Sequence, residues 1–259
     1  MIDEPSIRNE VRERVWSQLR EVARPDSRFA WDFGEFIADY VGSETGADRL
    51  LELADDHDCG TWLVTPDNNL DPLRERLIER SIPFLMPTYG IRRGFLSLDP
   101  ADVPDGQAAF AATLDGMTRF ADRVPLETLE ADHPSLDIMV TGGSFVTPDG
   151  LRMGKGHGFF DLEWAMLRRV GLATADTLVV AAVHDVQLLP EADAPSGMVA
   201  DHDTVVDHVV TPTRTHRVEG ERQKPSGIRW PLLTEAEIRS IPPLETLWHR
   251  DGRPTTDDA

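Results

Sequence analysis

Short apolar runs alternate with longer segments of helical periodicity along this chain, and this alternation restricts the fold more than any other feature. Five apolar runs are predicted to be strands: residues 61–65, 83–87, 136–140, 178–183 and 205–211. Apolar residues recur at helical spacing in four other segments: residues 7–22, 36–54, 70–80 and 159–170. Strands that alternate with helices favour a parallel sheet with helices packed on its faces. We therefore predict an α/β fold, with a single open, mostly parallel sheet flanked by helices in a Rossmann-like arrangement.

The length and composition suit one domain. A chain of 259 residues with 40% hydrophobic residues can bury one sizeable core. We predict a single α/β domain over residues 1–249 and a polar, disordered tail over residues 250–259. Ligands bind to open α/β sheets beyond the carboxyl ends of the strands. The loops that follow the predicted strands are therefore the places where we expect a functional site.

The charge balance restricts the partners of the protein. There are 46 acidic and 26 basic residues, for a formal net charge of -20, and only Lys155 and Lys224 are lysines. Such a surface repels nucleic acids and anionic membranes, so we expect neither as a partner. An acidic, lysine-poor composition is typical of a protein that works in concentrated salt, and we predict a halophilic protein. An ordinary acidic protein is the alternative, and the unfolding midpoint measured against salt concentration separates the two.

Cysteine content and apolar run lengths exclude further classes. The single cysteine, Cys59, cannot form an intramolecular disulfide or a multi-cysteine zinc site. No run approaches the roughly 18 apolar residues that a membrane helix needs. The first ten residues include four charged side chains instead of an apolar signal core. We expect a cytoplasmic protein.

A glycine-rich loop precedes the last predicted helix. In residues 154–158 glycine alternates with Lys155 and His157, and the helix predicted over residues 159–170 follows directly. Alternating glycines let main-chain N–H groups approach a ligand, and the positive end of the helix dipole points to the same place. Arg152 and Lys155 add full positive charges, so the ligand that this pattern favours is a polyphosphate. A tight turn without a ligand is the other interpretation of the same residues.

Two familiar phosphate-binding motifs are excluded by spacing. A P-loop has four residues between its glycines and a serine or threonine after the lysine, whereas Gly150 and Gly154 enclose three and Gly156 follows Lys155. The dinucleotide-binding fingerprint expects a third glycine where Phe159 stands. The loop is therefore neither of these motifs.

The loop and the segments after it resemble a known family. Residues 154–161 resemble the ATP-site signature of the 5-formyltetrahydrofolate cyclo-ligases, also called methenyltetrahydrofolate synthetases. The longer match is to a divergent branch, the methenyltetrahydrofolate synthetase domain-containing proteins, along residues 152–166, 183–187, 202–207, 211–214 and 224–230. The resemblance is strong over residues 135–230 and fainter before them, at scattered positions that include Arg8 and the Pro66-Asp67 pair.

This resemblance implies a fold like that of the NagB/RpiA/CoA-transferase group and a reaction that uses ATP and Mg²⁺. The small-molecule substrate is a reduced folate, and the implied product of 5-formyltetrahydrofolate is 5,10-methenyltetrahydrofolate. The positions that match ATP-binding positions are Arg8, Arg12, Arg152, Gly154, Lys155, Gly156, His157, Gly158 and Phe159. Arg152 and Lys155 match the catalytic positions, Phe159 and Phe160 match the substrate-binding tyrosines, and Asp161 and Asp203 match the metal-binding positions.

Departures from the family pattern leave a second function open. Phe159 and Phe160 lack the tyrosine hydroxyls, so they can stack on a ligand but cannot donate hydrogen bonds to it. Leu162 and Glu163 follow Asp161 where authentic cyclo-ligases have another pattern. The alternative is a divergent paralogue without ligase activity, namely a nucleotide- or folate-binding module in another cofactor pathway, for example one related to thiamin.

Three further residues are secondary site candidates: Asp185, Gln187 and Lys224. Histidine and carboxylate groups at His184-Asp185, Asp201-His202-Asp203 and Asp207-His208 also suggest a non-haem iron site, but we favour the magnesium interpretation. Each histidine by itself is expected to have a hydrogen-bonded structural role. Ser144 lies outside any Gly-x-Ser-x-Gly elbow, so we exclude a hydrolase of that type.

Overall fold

A computed structural model of the protein describes residues 4–190, 200, 202–220 and 223–256. The strands within these residues are β1 Trp62–Val64, β2 Phe84–Pro87, β3 Phe95–Leu98, β4 Asp122–Val124, β5 Ile138–Thr141, β6 Phe145–Val146, β7 Arg152–Met153, β8 Leu178–Ala182, β9 His208–Val210 and β10 Thr215–Arg217. The α-helices are α1 Glu4–Leu19, α2 Ser43–Asp56, α3 Asp71–Glu79, α4 Ala108–Ala111, α5 Leu114–Phe120, α6 Leu126–Asp132, α7 Phe159–Arg169, α8 Glu235–Ser240 and α9 Pro242–Arg250.

The described strands form one open eight-stranded sheet and a separate β6-β7 hairpin. The order in the large sheet is β10-β9-β8-β5-β1-β2-β3-β4. Strands β9, β8, β5, β1 and β2 run parallel, while β10, β3 and β4 pair antiparallel at the two sides. The chain moves from β1 to β2 on one side and later returns to β5 on the other side, so the strand order reverses between β1 and β5. Such a reversal opens a crevice at the carboxyl ends of the strands.

Alternating side chains of the central strands supply two hydrophobic cores, one on each face of the sheet. Leu63 of β1 belongs to the core on the α7 face, together with Phe160 and Trp164 of that helix. Trp62 and Val64, on either side of Leu63, belong to the core on the α2 and α3 face. Because β1 is buried on both faces, its short apolar sequence shows no alternation of polar residues.

The structure confirms the predicted fold class, an open and mostly parallel α/β sheet flanked by helices. One predicted helix begins later than its periodicity indicates. Residues 36–42 are not helical, and the helix starts at Ser43 after Gly42, whose φ of 91° is left-handed. The segment between residues 88 and 135, where we predicted no strand, contains β3 and β4. The strand predicted over residues 205–211 is limited to His208–Val210.

The end of the chain is described up to residue 256. Helix α9 ends at Arg250, and Trp248 Nε1 donates a hydrogen bond of 3.1 Å to the Pro254 carbonyl. Residues 257–259 of the predicted tail lie outside the described residues, and so does Asp201. No helix in the described part of the chain is long and apolar enough to cross a membrane.

Candidate functional site

A cavity of about 550 Å³ lies where the strand order reverses. The turn after β1 forms one wall, with Thr65, Asp67 and Asn68. Thr141, the last residue of β5, and the loop at residues 154–158 form the adjoining wall. Twelve residues predicted from the sequence line this one cavity: Arg8, Arg12, Arg152, Gly154, Lys155, Gly156, His157, Gly158, Phe159, Phe160, Asp161 and Asp203.

The glycine loop presents main-chain N–H groups at the start of α7. Gly156 and Gly158 have φ values of 105° and 64°, a backbone conformation that side chains other than glycine rarely adopt. Gly158 is the residue before the helix, and no side chain accepts a hydrogen bond from the first turn. The first N–H groups of a helix have no partner within the helix, and they carry the positive end of its dipole. Residues 156–158 are exposed, so these groups are accessible to an anion.

Lys155 reaches into the cavity from this loop. Its Nζ donates a hydrogen bond of 3.1 Å to the Glu35 carbonyl and lies 4.8 Å from the centre of the Tyr89 ring. Burial lowers the pKa of the Lys155 ammonium, and the nearby Arg152 charge lowers it further. Asp67 and Glu163 oppose this shift. The positive charge is therefore held in a desolvated position, where an added anion interacts with it more strongly than at the surface.

Two buried arginines donate to main-chain carbonyls of two different loops at the cavity. The buried Arg152 side chain donates from Nε to the Gly142 carbonyl at 2.8 Å and lies 5.0 Å from the centre of the Phe160 ring. Arg12 of α1 donates from Nε to the Gly154 carbonyl at 2.9 Å. Both arginines have other N–H groups besides the Nε–H groups that donate to these carbonyls.

Arg8 and Asp203 are paired with each other. Arg8 Nη2 lies 2.7 Å from Asp203 Oδ2, and the same carboxylate oxygen accepts from the Ala200 N–H at 2.7 Å. The carboxylate of Asp161 accepts from the Thr204 N–H at 2.8 Å, and burial raises its pKa. Both predicted metal-binding carboxylates thus border the cavity, but Asp203 already has a cation as its partner.

Aromatic rings form another part of the cavity wall. Phe29 and Tyr89 stack with their ring centres 5.8 Å apart, and His157 stacks on Phe159 at 5.4 Å. Phe160, one of the two positions that match the substrate-binding tyrosines, is only 3% exposed and belongs mostly to the core beneath Arg152. Phe159, Tyr89 and Phe29 are half-buried, so these three rings are the aromatic residues of the wall that keep some exposed surface.

Two carboxyl groups of the cavity are absent from the sequence prediction. Asp67 follows β1, and its Oδ2 accepts from Thr65 Oγ1 at 2.6 Å and from the Gly142 N–H at 2.8 Å. Glu163 lies on α7 and is only 4% exposed. The sequence contains a feature that could have identified each of them. Asp67 lies in the turn after a predicted strand, and Glu163 is a charged residue on the apolar side of a predicted helix.

The three secondary candidates lie elsewhere. Asp185 accepts hydrogen bonds from the hydroxyls of Thr211 and Thr213, at 2.7 and 2.5 Å. Gln187 is buried and donates from Nε2 to the Gly143 carbonyl at 2.7 Å, so it holds the loop after β5. Lys224 lines a second cavity at the amino ends of β8 and β9. None of the three borders the first cavity.

The donor set fits a magnesium ion that is bound together with phosphates. Within the described residues, no group of three histidine, cysteine or acidic side chains is placed to hold a metal by itself. Mg²⁺ in nucleotide sites uses one or two carboxylates and takes its other ligands from phosphates and water. Asp161 and Asp203 supply two carboxylates at this cavity.

The fold and the cavity define a class: an α/β protein with an anion-binding loop at the topological switch point of its sheet. The sequence profile of the 5-formyltetrahydrofolate cyclo-ligase family matches residues 5–212. The chain therefore belongs to the 5-formyltetrahydrofolate cyclo-ligase family.

The chain is also similar to proteins described as methenyltetrahydrofolate synthase domain-containing proteins. A methenyltetrahydrofolate synthase domain-containing protein of Mus musculus is 31% identical over 249 residues, which are 95% of this chain and 64% of the relative. The protein of the same description from Danio rerio is 28% identical over 240 residues, which are 92% of this chain and 60% of the relative. The chain thus spans less than two thirds of the length of these relatives.

A solved structure from the same group has a weaker similarity. The NMR structure of the 5,10-methenyltetrahydrofolate synthetase of Aquifex aeolicus aligns with a TM-score of 0.47 and 17% identity, and covers 84% of this chain and 95% of that one. The family assignment depends on the sequence match and not on this superposition.

Proposed function

We propose that this protein is an ATP- and magnesium-dependent enzyme of the 5-formyltetrahydrofolate cyclo-ligase type. It converts 5-formyltetrahydrofolate to 5,10-methenyltetrahydrofolate and releases ADP and phosphate. The observation that carries the proposal is the convergence of Lys155, Arg152 and the uncapped start of α7 on one cavity. Membership of the cyclo-ligase family supports the reaction class.

The charges of the cavity suit phosphoryl transfer. The formyl oxygen attacks the γ-phosphorus and ADP leaves; N10 then attacks the formyl carbon, loses its proton, and the formyl oxygen departs as part of phosphate. Such a transfer needs positioned positive charge and main-chain donors more than a protein nucleophile. In our proposal Lys155, Arg152 and the N–H groups of residues 156–158 bind the phosphates and hold the γ-phosphoryl group in place.

Asp161 and Asp203 would hold the magnesium ion, which neutralises phosphate charge when it is bound. Asp203 is free for this role only if its ion pair with Arg8 opens. The opening would also separate the Arg8 guanidinium from the Asp203 carboxylate, and Arg8 could then contact a phosphate, as the resemblance implies. Magnesium binding by Asp203 and phosphate binding by Arg8 thus both require a side-chain rearrangement that separates the two residues.

The aromatic surfaces suit a planar ring. Phe159, Tyr89 and Phe29 offer faces for stacking of a pterin or an adenine. Phe159 has no hydroxyl, so hydrogen bonds to the ring would have to come from other groups of the cavity.

An absorbance assay tests the proposal. Purified protein is mixed with ATP, Mg²⁺ and 5-formyltetrahydrofolate in concentrated salt, and formation of the methenyl chromophore is followed. We expect formation of the methenyl product to require ATP, Mg²⁺ and the protein. The control reaction without protein should form none. A flat trace from protein whose folding is verified by circular dichroism would contradict the enzymatic function.

A second candidate is a nucleotide- or folate-binding module without turnover. The paired state of Arg8 and Asp203 and the phenylalanines at positions 159 and 160 favour it. It predicts that ATP raises the melting temperature while no methenyl product forms. If ATP has no effect on melting, the enzymatic function and a nucleotide-binding module are both contradicted.

A further inference from the structure

Arg74 is a charged side chain in the core of the protein. It lies on the buried face of α3 with Leu73 and Leu77, and it is 0% exposed. An apolar side chain would fill such a position without the cost of removing a charge from water. An arginine at this position therefore has a role that an apolar residue cannot fill, and its hydrogen bonds show what that role is.

The guanidinium of Arg74 binds main-chain carbonyls of two other segments. Nη1 donates to the Thr65 carbonyl at 2.5 Å and Nη2 donates to the Asp67 carbonyl at 3.3 Å, both in the turn after β1. Nε donates to the Ala112 carbonyl, between α4 and α5, at 2.7 Å. Nη2 also pairs with the Asp71 carboxylate of the same helix. All three nitrogens of the side chain are thus donors, and three of the four acceptors are main-chain groups outside α3.

Both segments that Arg74 holds belong to the wall of the first cavity. Thr65 and Asp67 line the cavity from the turn, and Leu114, two residues after Ala112, lines it from the start of α5. The planar guanidinium fixes the directions of its N–H groups, so the carbonyls that accept from it are held at set positions relative to one another. Arg74 does not line the cavity itself, so it acts on a ligand only through these two segments.

The turn after β1 brings a carboxylate to the cavity. Asp67 Oδ2 accepts from Thr65 Oγ1 and from the Gly142 N–H, so these two bonds orient the carboxylate while Arg74 holds the main chain beneath it. A carboxylate repels phosphates but accepts hydrogen bonds from the N–H groups of an amino-substituted ring. The turn is therefore the part of the wall that suits a ring, whereas the glycine loop on the adjoining wall suits phosphates.

We propose that Arg74 is a positioning residue for the ring-binding part of the cavity. It holds the turn after β1 so that the Asp67 carboxylate accepts hydrogen bonds from the N–H groups of a bound amino-substituted heterocycle. This inference rests on the proposed function, because both ligands of that function contain such a ring. The ring is the pterin of the reduced folate or the adenine of ATP, and the titrations below distinguish the two.

Three probes separate the ring from the phosphates in calorimetric titrations: 5-formyltetrahydrofolate, Mg²⁺-ATP and Mg²⁺-tripolyphosphate, which has no ring. In Arg74→Met we expect the affinity for one ring-bearing probe to fall by roughly tenfold or more, the size of a lost hydrogen bond to a charged group. Affinity for Mg²⁺-tripolyphosphate should stay within a few-fold of wild type, because Arg74 does not hold the glycine loop. The ring-bearing probe that responds identifies the ring at the turn. Equal losses for all three probes would mean that Arg74 supports the fold as a whole, and would overturn the proposal.

Two further variants separate positioning from folding. Arg74→Lys keeps the cation and has N–H donors but lacks the planar fork, so the same probe should lose affinity, by less than in Arg74→Met. If circular dichroism shows that Arg74→Met does not fold, Arg74→Lys is judged by the same outcomes. Arg76→Met is the matched control, because Arg76 lies on the same helix and donates to Asp48 and to the Pro72 carbonyl, neither of which lines the cavity. This control should bind all three probes as the wild-type protein does.

A double-mutant cycle tests whether Arg74 acts through Asp67. Asp67→Asn removes the carboxylate charge and should weaken binding of the responding probe. If Arg74 positions that carboxylate, Arg74→Lys should weaken binding much less in the Asp67→Asn background than in the wild-type background. Additive losses would contradict the proposal. If both ring-bearing probes bind and neither responds to the Arg74 variants, the positioning role is wrong while the proposed function stands. If neither of them binds to the wild-type protein, the proposed function fails and the ring contact fails with it.

Discussion

The two lysines of this chain lie at opposite ends of the sheet and have different surroundings. Lys155 borders the cavity at the carboxyl ends of β1 and β5, and its ammonium donates to a main-chain carbonyl. Lys224 borders a cavity of about 400 Å³ at the amino ends of β8 and β9, and its Nζ lies 2.5 Å from Asp207 Oδ2. It also donates to the Thr177 carbonyl at 2.8 Å.

The difference indicates which end of the sheet is suited to bind an anion. The charge of Lys224 is neutralised by Asp207, so its interactions stabilise the fold itself. The charge of Lys155 lies beside Arg152 and next to the uncapped start of α7, so it adds to a positive potential. A net charge of -20 makes such a local positive region unusual on this molecule.

Removal of the Lys155 charge is the strongest test of the comparison. In Lys155→Ala we expect ATP affinity to fall by about 1–3 kcal/mol, the size of a lost hydrogen bond between charged groups. The stability should stay close to that of wild type, because no carboxylate in the described part of the chain forms an ion pair with this ammonium and would be left buried. Calorimetric titration with Mg²⁺-ATP and urea unfolding measure the two quantities. Unchanged affinity would mean that the glycine loop is only a tight turn.

Removal of the other lysine should have the opposite pattern. In Lys224→Met we expect the free energy of unfolding to fall by about 1–2 kcal/mol, because the Asp207 carboxylate loses its cation and the Thr177 carbonyl loses its donor. The partial exposure of Asp207 limits the loss through solvent screening. ATP affinity should stay within twofold of wild type. The urea midpoint reports the change if the denaturant slope is constant. A larger effect on ATP affinity than on stability would overturn the distinction between the two ends.

The fold could be predicted where local sequence determines the structure. Strands β1, β5 and β8 are buried on both faces, so each appears in the sequence as a continuous apolar run. Strand β4 has exposed side chains and the sequence Asp-Arg-Val, so its pairing with β3 depends on a tertiary contact that no local pattern shows. Residues 36–42 have apolar side chains at helical spacing, but they pack as an irregular segment before Gly42.

The candidate site could be predicted where one motif contains it. The glycine loop, Arg152 and Asp161 are adjacent in the sequence, and the structure places them at one cavity. Asp67 reaches that cavity only because β1 and β5 are neighbours, a fact of sheet order that spacing does not encode. The ion pair of Arg8 with Asp203 joins residues that are 195 positions apart, so the sequence does not show that the two are partners.

The smallest expected effect is a pH dependence that belongs to Lys155. Because burial lowers the pKa of this lysine, it loses its proton at a lower pH in the folded protein than in the unfolded chain. Between the lowered and the ordinary pKa the unfolded chain binds more protons, so rising pH should increase the free energy of unfolding in that window. ATP affinity should fall over the same window, because the cation that binds the phosphates is lost. The difference between wild type and Lys155→Ala, measured by urea unfolding and ATP titration from neutral to alkaline pH, isolates both slopes. The free energy of unfolding and the ATP affinity should change in opposite directions as the pH rises. If both change in the same direction, or if either change persists in Lys155→Ala, other groups titrate and the Lys155 charge is not held in a desolvated position.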